Sequence, residues 1–144
     1  MKQITHCASV SPLLTFVIAF SFGAIGYYSL EIAFRGFSHW SMAICGGLCA
    51  WLILLENRRF SKRPLVLRAL VGALIITAVE FTAGCLINLY LGWGVWDYSS
   101  LPWNLLGQIS PAFSVLWFLL CLPICFTFSV ADRSFVRMRA KKAE

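Results

Sequence analysis

Four long apolar stretches leave this chain few ways to fold. They run from Pro12 to Phe34, Phe37 to Leu55, Leu65 to Leu91 and Ile109 to Ala131. Each reaches the roughly 20 residues that a helix needs to cross about 30 Å of hydrocarbon. The expected fold is therefore an all-α integral membrane protein: four transmembrane helices, in a single transmembrane domain over residues 1–144, with a structured external loop between helices three and four. The second stretch is the shortest and carries Gly46–Gly47, so its ends are the least defined. The first is too long for a signal-peptide core and no small-residue cleavage pattern follows it, so it is expected to stay as a helix.

Composition supports this, and the length of 144 residues leads to the expectation of one domain and no separate soluble module. Charged residues make up 12% of the chain and hydrophobic ones 60%, against about 25% charged in a soluble domain. No linker or low-complexity tract divides the sequence.

The cations set an orientation. Lys2 precedes the first stretch. Arg58, Arg59, Lys62, Arg63 and Arg68 lie around the junction of the second and third. Arg133, Arg137, Arg139, Lys141 and Lys142 follow the fourth. Only Arg35 falls on the other side. The positive-inside rule then puts both termini in the cytoplasm of a multi-pass protein of the cell (inner) membrane. The net charge of +6 is accounted for by this orientation and by anionic lipid headgroups of the bilayer. It calls for no nucleic-acid partner.

The acids divide between two sides. Glu56, Asp132 and Glu144 lie among the cytoplasmic cations and are expected to be solvated. Glu31, Glu80 and Asp97 lie within the membrane or on its outer side, with Arg35. Glu80 sits near the middle of the third stretch. An ionised carboxylate at the bilayer centre costs about 2.5–3.5 kcal/mol on insertion scales, so Glu80 should face other helices or water. It shares a helical face with Ala73, Thr77, Gly84 and Asn88, at intervals of three and four residues. Such a stripe suits helix packing. A packing seam has no need of a carboxylate, however, and the alternative is a site lining a cavity. Glu31 and Arg35 are spaced i, i+4 with the acid N-terminal, the favourable order for a local pair. Alternatively, one of them reaches Glu80 or Asp97.

The segment from Gly92 to Gln108 is the richest. Trp93, Trp96, Tyr98 and Trp103, with Tyr27, Tyr28 and Trp40, suit an aromatic belt at the membrane interface. A belt does not explain Asp97, Asn104 and Gln108. Asp97 can seed an Asx-type turn and Pro102 stiffens the residues after it. Ser99 or Ser100 could cap a short re-entrant helix, making the loop a lid over the Glu80 face. The six cysteines include no C-x-x-C pair and read as small apolar packing residues. His39 reads as an interface residue or hydrogen-bond partner. No metal and no cofactor is expected.

Residues 27–51 and 77–117 resemble the bacterial ABC-transporter permease family labelled type IV. The shared positions are Leu30, Glu31, Arg35, Gly36, His39, Trp40, Ser41, Met42, Gly46 and Gly47. They continue as Thr77, Glu80, Phe81, Gly84 and Asn88, then as Val95, Trp96, Asp97, Tyr98, Ser99, Pro102, Asn104, Gly107, Gln108 and Ile109. The chain departs at Ser110–Pro111, where the family commonly carries Cys-Leu, and at Asp132–Arg133, where it tends to an acidic pair. The resemblance implies a transporter permease. The chain has no G-x-x-x-x-G-K-[ST] loop, so an ATPase would be a separate subunit. A homo-oligomer is a further arrangement open to a chain this small.

Glu31, Arg35, Glu80, Asn88, Asp97, Asn104 and Gln108 are therefore expected to converge in the outer half of the bundle as a substrate- or ion-binding site. His39, Trp40, Gly84, Trp96 and Tyr98 would support it. The function expected is a permease subunit with a buried acidic site. The alternative is a small membrane sensor, regulator or scaffold acting through partner proteins. A membrane-embedded enzyme would need two carboxylates close together, and no catalytic residue is assigned.

Overall fold

The computed structural model describes the backbone of residues 11–142, and side chains through Asp132 together with that of Ser134. Lys2, Cys7 and Glu144 lie outside the described residues, as do the side chains of Arg133, Arg137, Arg139, Lys141 and Lys142.

Helix α1 spans Pro12–Arg35. The Ser11 hydroxyl accepts the Leu14 N–H at 3.0 Å. Pro12 occupies the first turn, where its missing N–H costs nothing. The helix stops at Gly36, which takes a left-handed φ of 77° and donates to the Ile32 carbonyl, a conformation that favours glycine. Helix α2 spans Trp40–Arg59 and starts where His39 Nδ1 accepts the Ser41 N–H. It begins and ends later than its apolar stretch. Gly36 turns the chain before it. Polarity ends the stretch at Leu55, but Glu56 and Asn57 are buried and the helix continues through them.

Helix α3 covers Leu65–Gly84 and widens into a π-helical stretch over Cys85–Tyr90. Helix α4 starts at Pro111, two residues later than expected, and runs to Lys142 with Pro123 inside it. All four helices are long and apolar enough to cross a membrane. No strand occurs among the described residues.

The helices form two hairpins, α1 on α2 and α3 on α4, with α2 also touching α3 and α4. Lipid tails supply no hydrophobic drive between helices, so close backbone approach must do the work. At the α1–α2 contact, a Cβ on Gly23 would strike the Gly46 carbonyl and Ala50. A Cβ on Gly72 of α3 would lie 2.9 Å from Cys121 Sγ of α4. The centre is filled by Ile53, Ala69, Ala73, Cys121 and Cys125. The four cysteines of Cys45/Cys49 and Cys121/Cys125 carry free thiols, and Cys49, Cys121 and Cys125 are buried.

Candidate functional site

The site is assembled where residues 91–110 return across the end of the bundle. Asn88, in the π-helical stretch, holds both ends of that return. Its Oδ1 accepts the Val95 N–H at 2.7 Å. Its Nδ2 donates to the Trp96 carbonyl at 3.0 Å and to Gln108 Oε1 at 2.8 Å. The buried Trp96 indole donates to the Gln108 carbonyl at 3.0 Å. Gln108 Nε2 donates to the Leu106 carbonyl. Gly84 makes this fit, because a Cβ there would lie 2.6 Å from Gln108 Oε1.

Glu31 and Arg35 tie α1 to the same return. Arg35 Nη1 donates to Glu31 Oε1 at 2.9 Å, and Arg35 Nη2 donates to the Val95 carbonyl at 2.8 Å. The Ser38 hydroxyl donates to Glu31 Oε2 at 2.6 Å. The Arg35 guanidinium also lies over the Phe37 ring. Both acceptor oxygens of the buried Glu31 are thus occupied. The local pair forms, and among the described residues neither partner bonds Glu80 or Asp97.

Glu80 is buried, with 6% of its surface exposed. The Tyr98 hydroxyl donates to its Oε1 at 3.0 Å, and the Trp117 indole donates to its Oε2 at 2.8 Å. The Tyr98 ring is stacked on Phe113 of α4, with centroids 4.3 Å apart, which fixes where its hydroxyl points. One donor therefore comes from the 91–110 segment and the other from α4. Burial and the neighbouring Glu80 push the Tyr98 phenol well above its ordinary value, so it stays a donor. Below Glu80 and Trp96 lies a cavity of about 250 Å³, walled by all four helices and including Gly26, Met42, Cys45, Ile76 and Trp117.

Two residues expected at the site do not reach it. Asp97 is exposed; its Oδ1 accepts the Ser99 N–H at 2.8 Å and the Ser99 hydroxyl. These bonds hold its carboxyl below the ordinary carboxylate range. Asn104 donates to the Ser99 and Leu101 carbonyls and accepts the Gly107 N–H at 2.9 Å. Both fold the loop onto itself. No re-entrant helix forms: Trp103, Leu106 and Gly107 have φ of 59°, 53° and 69°, incompatible with a right-handed helix. Asp97 and Asn104 also offer the backbone other partners. His39 caps α2 and packs with the exposed Trp40 and Trp93.

A second polar cluster lies at the opposite end and was not expected. Arg68 is buried and donates to Asn57 Oδ1 at 2.6 Å and Ser129 Oγ at 2.7 Å, joining three helices. Glu56 is buried rather than solvated, and among the described residues neither of its oxygens has a hydrogen-bond partner. Asp132 is paired with Arg58, Nη2 to Oδ1 at 2.8 Å. The signal was present: Cys49, Ile53 and Glu56 recur at four and three residues, on one inward face.

Four membrane-length helices closed at one end by a hydrogen-bonded return define a small multi-pass membrane protein. A family model described as "Putative ABC-transporter type IV" matches residues 16–143. The chain belongs to that family. No curated protein and no solved structure matches the chain at a significant level.

Proposed function

We propose that this chain is the permease subunit of an ATP-driven transporter of the bacterial inner membrane, and that Glu80 is its ligand- or proton-coupling group. The observation that carries this reading is the buried Glu80 carboxylate, held by one donor from the 91–110 segment and one from α4. A motion of either element against the other would change the hydrogen bonding of the acid. That is the property required of a coupling site. Family membership supports the transporter assignment. The nucleotide-hydrolysing part would be a separate polypeptide, docking on the 60–64 turn. Co-purification from native membranes under mild detergent is expected to bring an ATPase subunit with the chain. Recovery of the chain alone, at native stoichiometry, would refute the assembly.

In this reading both termini are cytoplasmic and residues 91–110 are outside. With the native cysteines removed, Ser100→Cys should react with a membrane-impermeant thiol reagent on intact cells. Ser61→Cys should react only after permeabilisation, and the reverse labelling would invert the topology.

One observation favours a second reading, a membrane sensor, regulator or scaffold that acts through partner proteins. Beyond Glu80 the cavity wall continues through Ile53, Ile76, Val79, Leu120 and Ile124, which offers a polar solute no path to the Arg68 cluster. No catalytic role is proposed. Glu31 and Glu80 are each satisfied by their own donors, and a two-carboxylate enzyme needs acids that share a substrate.

A further inference from the structure

The cavity beneath Glu80 has a side entrance. Helix α1 packs along α2 but makes no extended contact with α3 or α4. Two ring contacts bridge α1 and α4: Phe22 with Phe128, and Tyr27 with Trp117, at 6.2 and 5.7 Å. Between them lies Gly26, which is exposed, and a Cβ placed on it would meet no atom within 4 Å. The facing wall of α4 is Leu120, Pro123 and Ile124. At 1.5 Å per residue, Gly26 sits about 14 Å below Arg35 along the helix, well inside the hydrocarbon layer. The opening therefore faces lipid tails, not water.

We infer that this cavity binds a single hydrocarbon chain of a membrane lipid, which enters sideways between α1 and α4. Three other occupants fit less well. Water needs two to four polar partners, and the wall offers few: both oxygens of Glu80 already accept hydrogen bonds, which leaves the Tyr27 hydroxyl and the Cys45 and Cys49 thiols among the side chains. A helix from a second copy is too wide: about 10 Å across with its side chains, it would have to part α1 from α4, which the Phe22–Phe128 and Tyr27–Trp117 contacts bridge. A compact polar solute would leave its own groups unpaired against Met42, Ile53, Ile76 and Leu120. A flexible apolar chain needs no partner, and it is the species that surrounds the opening. This binding goes beyond the transport reading and does not depend on an ATPase.

The test uses the full-length chain in proteoliposomes of phosphatidylethanolamine and phosphatidylglycerol. These carry a trace of phosphatidylcholine bearing a diazirine in one acyl chain. After photolysis, adducts are mapped by mass spectrometry. Wild type should be labelled on the inner walls, at Met42, Cys45 and Ile76, as well as on the exposed Leu74 and Val130. Gly26→Leu closes the entrance, and inner-wall adducts should be lost while those on Leu74 and Val130 persist. Leu120→Trp narrows it from the α4 side and should act likewise, which covers a failure of the first variant to fold. Gly26→Ala, which has room, should reduce the inner labelling only in part. An unlabelled inner wall in wild type would overturn the inference. So would inner labelling unchanged by both closing variants, or inner labelling by a water-soluble diazirine in place of the lipid probe.

Discussion

Glu80→Gln is expected to abolish complementation of a deletion strain while the purified protein keeps its stability to within about 1 kcal/mol. The reason lies in the two donors. The amide has one acceptor oxygen, which can stay on the Trp117 indole. Its NH₂ group then faces the Tyr98 hydroxyl, which can turn and accept. The space is filled and both neighbouring side chains stay hydrogen-bonded to residue 80, but the group can no longer carry a charge or release a proton. Glu80→Ala lacks this escape. It strands the Tyr98 hydroxyl and the Trp117 N–H, at roughly 1–3 kcal/mol for each buried group left unsatisfied, and it enlarges the cavity. Thermal unfolding in detergent should therefore separate the two variants. Full complementation by Glu80→Gln across external pH would remove the charge-coupling role and shift the weight to the scaffold reading.

Gly46→Ala is expected to be strongly destabilising. The added Cβ would strike the Cβ of Tyr27 and come within 2.7 Å of the Gly23 carbonyl. Both obstacles belong to the close approach of α1 and α2, so relief requires the helices to part. Overpacking of this kind costs about 1–3 kcal/mol, and the cost rises where the contact is backbone. Helix α1 has no other extended partner, so little else would retain it. Gly26→Ala in the same helix supplies the control, because its Cβ meets nothing. Size-exclusion profiles and melting temperatures should show Gly26→Ala near wild type and Gly46→Ala strongly destabilised. Equal behaviour of the two would mean that the α1–α2 contact is not tight.

The sequence made some of this legible and hid the rest for definite reasons. Helix existence followed from apolar length, because a bilayer accepts little else. The Glu31–Arg35 pair followed from spacing on one helix. That Glu80 would be satisfied from inside the protein followed from its depth. Its partners did not: Trp117 is 37 residues away on another helix, and nothing local distinguishes it from Trp51 or Trp93. The grip of Asn88 on Val95, Trp96 and Gln108 depends on a π-helical stretch that apolar periodicity does not announce. Asp97 was drawn toward the acids by its charge, although the turn chemistry it shares with Ser99 pointed outward. Local hydrogen bonds at two residues' distance outcompeted a distant cluster. At Glu56 residue type and register disagree: a carboxylate among arginines suggests solvent, while its helical register faces inward.

Arg68 has a double life in time. In the proposed topology, its partners on α2 and α4 are not yet assembled around it while the third helix is threaded into the bilayer, and its charge then counts with its neighbours in deciding which end stays behind. Once the bundle closes, the same guanidinium is enclosed against Asn57 and Ser129 and no longer faces lipid headgroups. The residue that helps to choose a direction during biogenesis becomes, in the finished protein, the clasp that holds three helices to that choice.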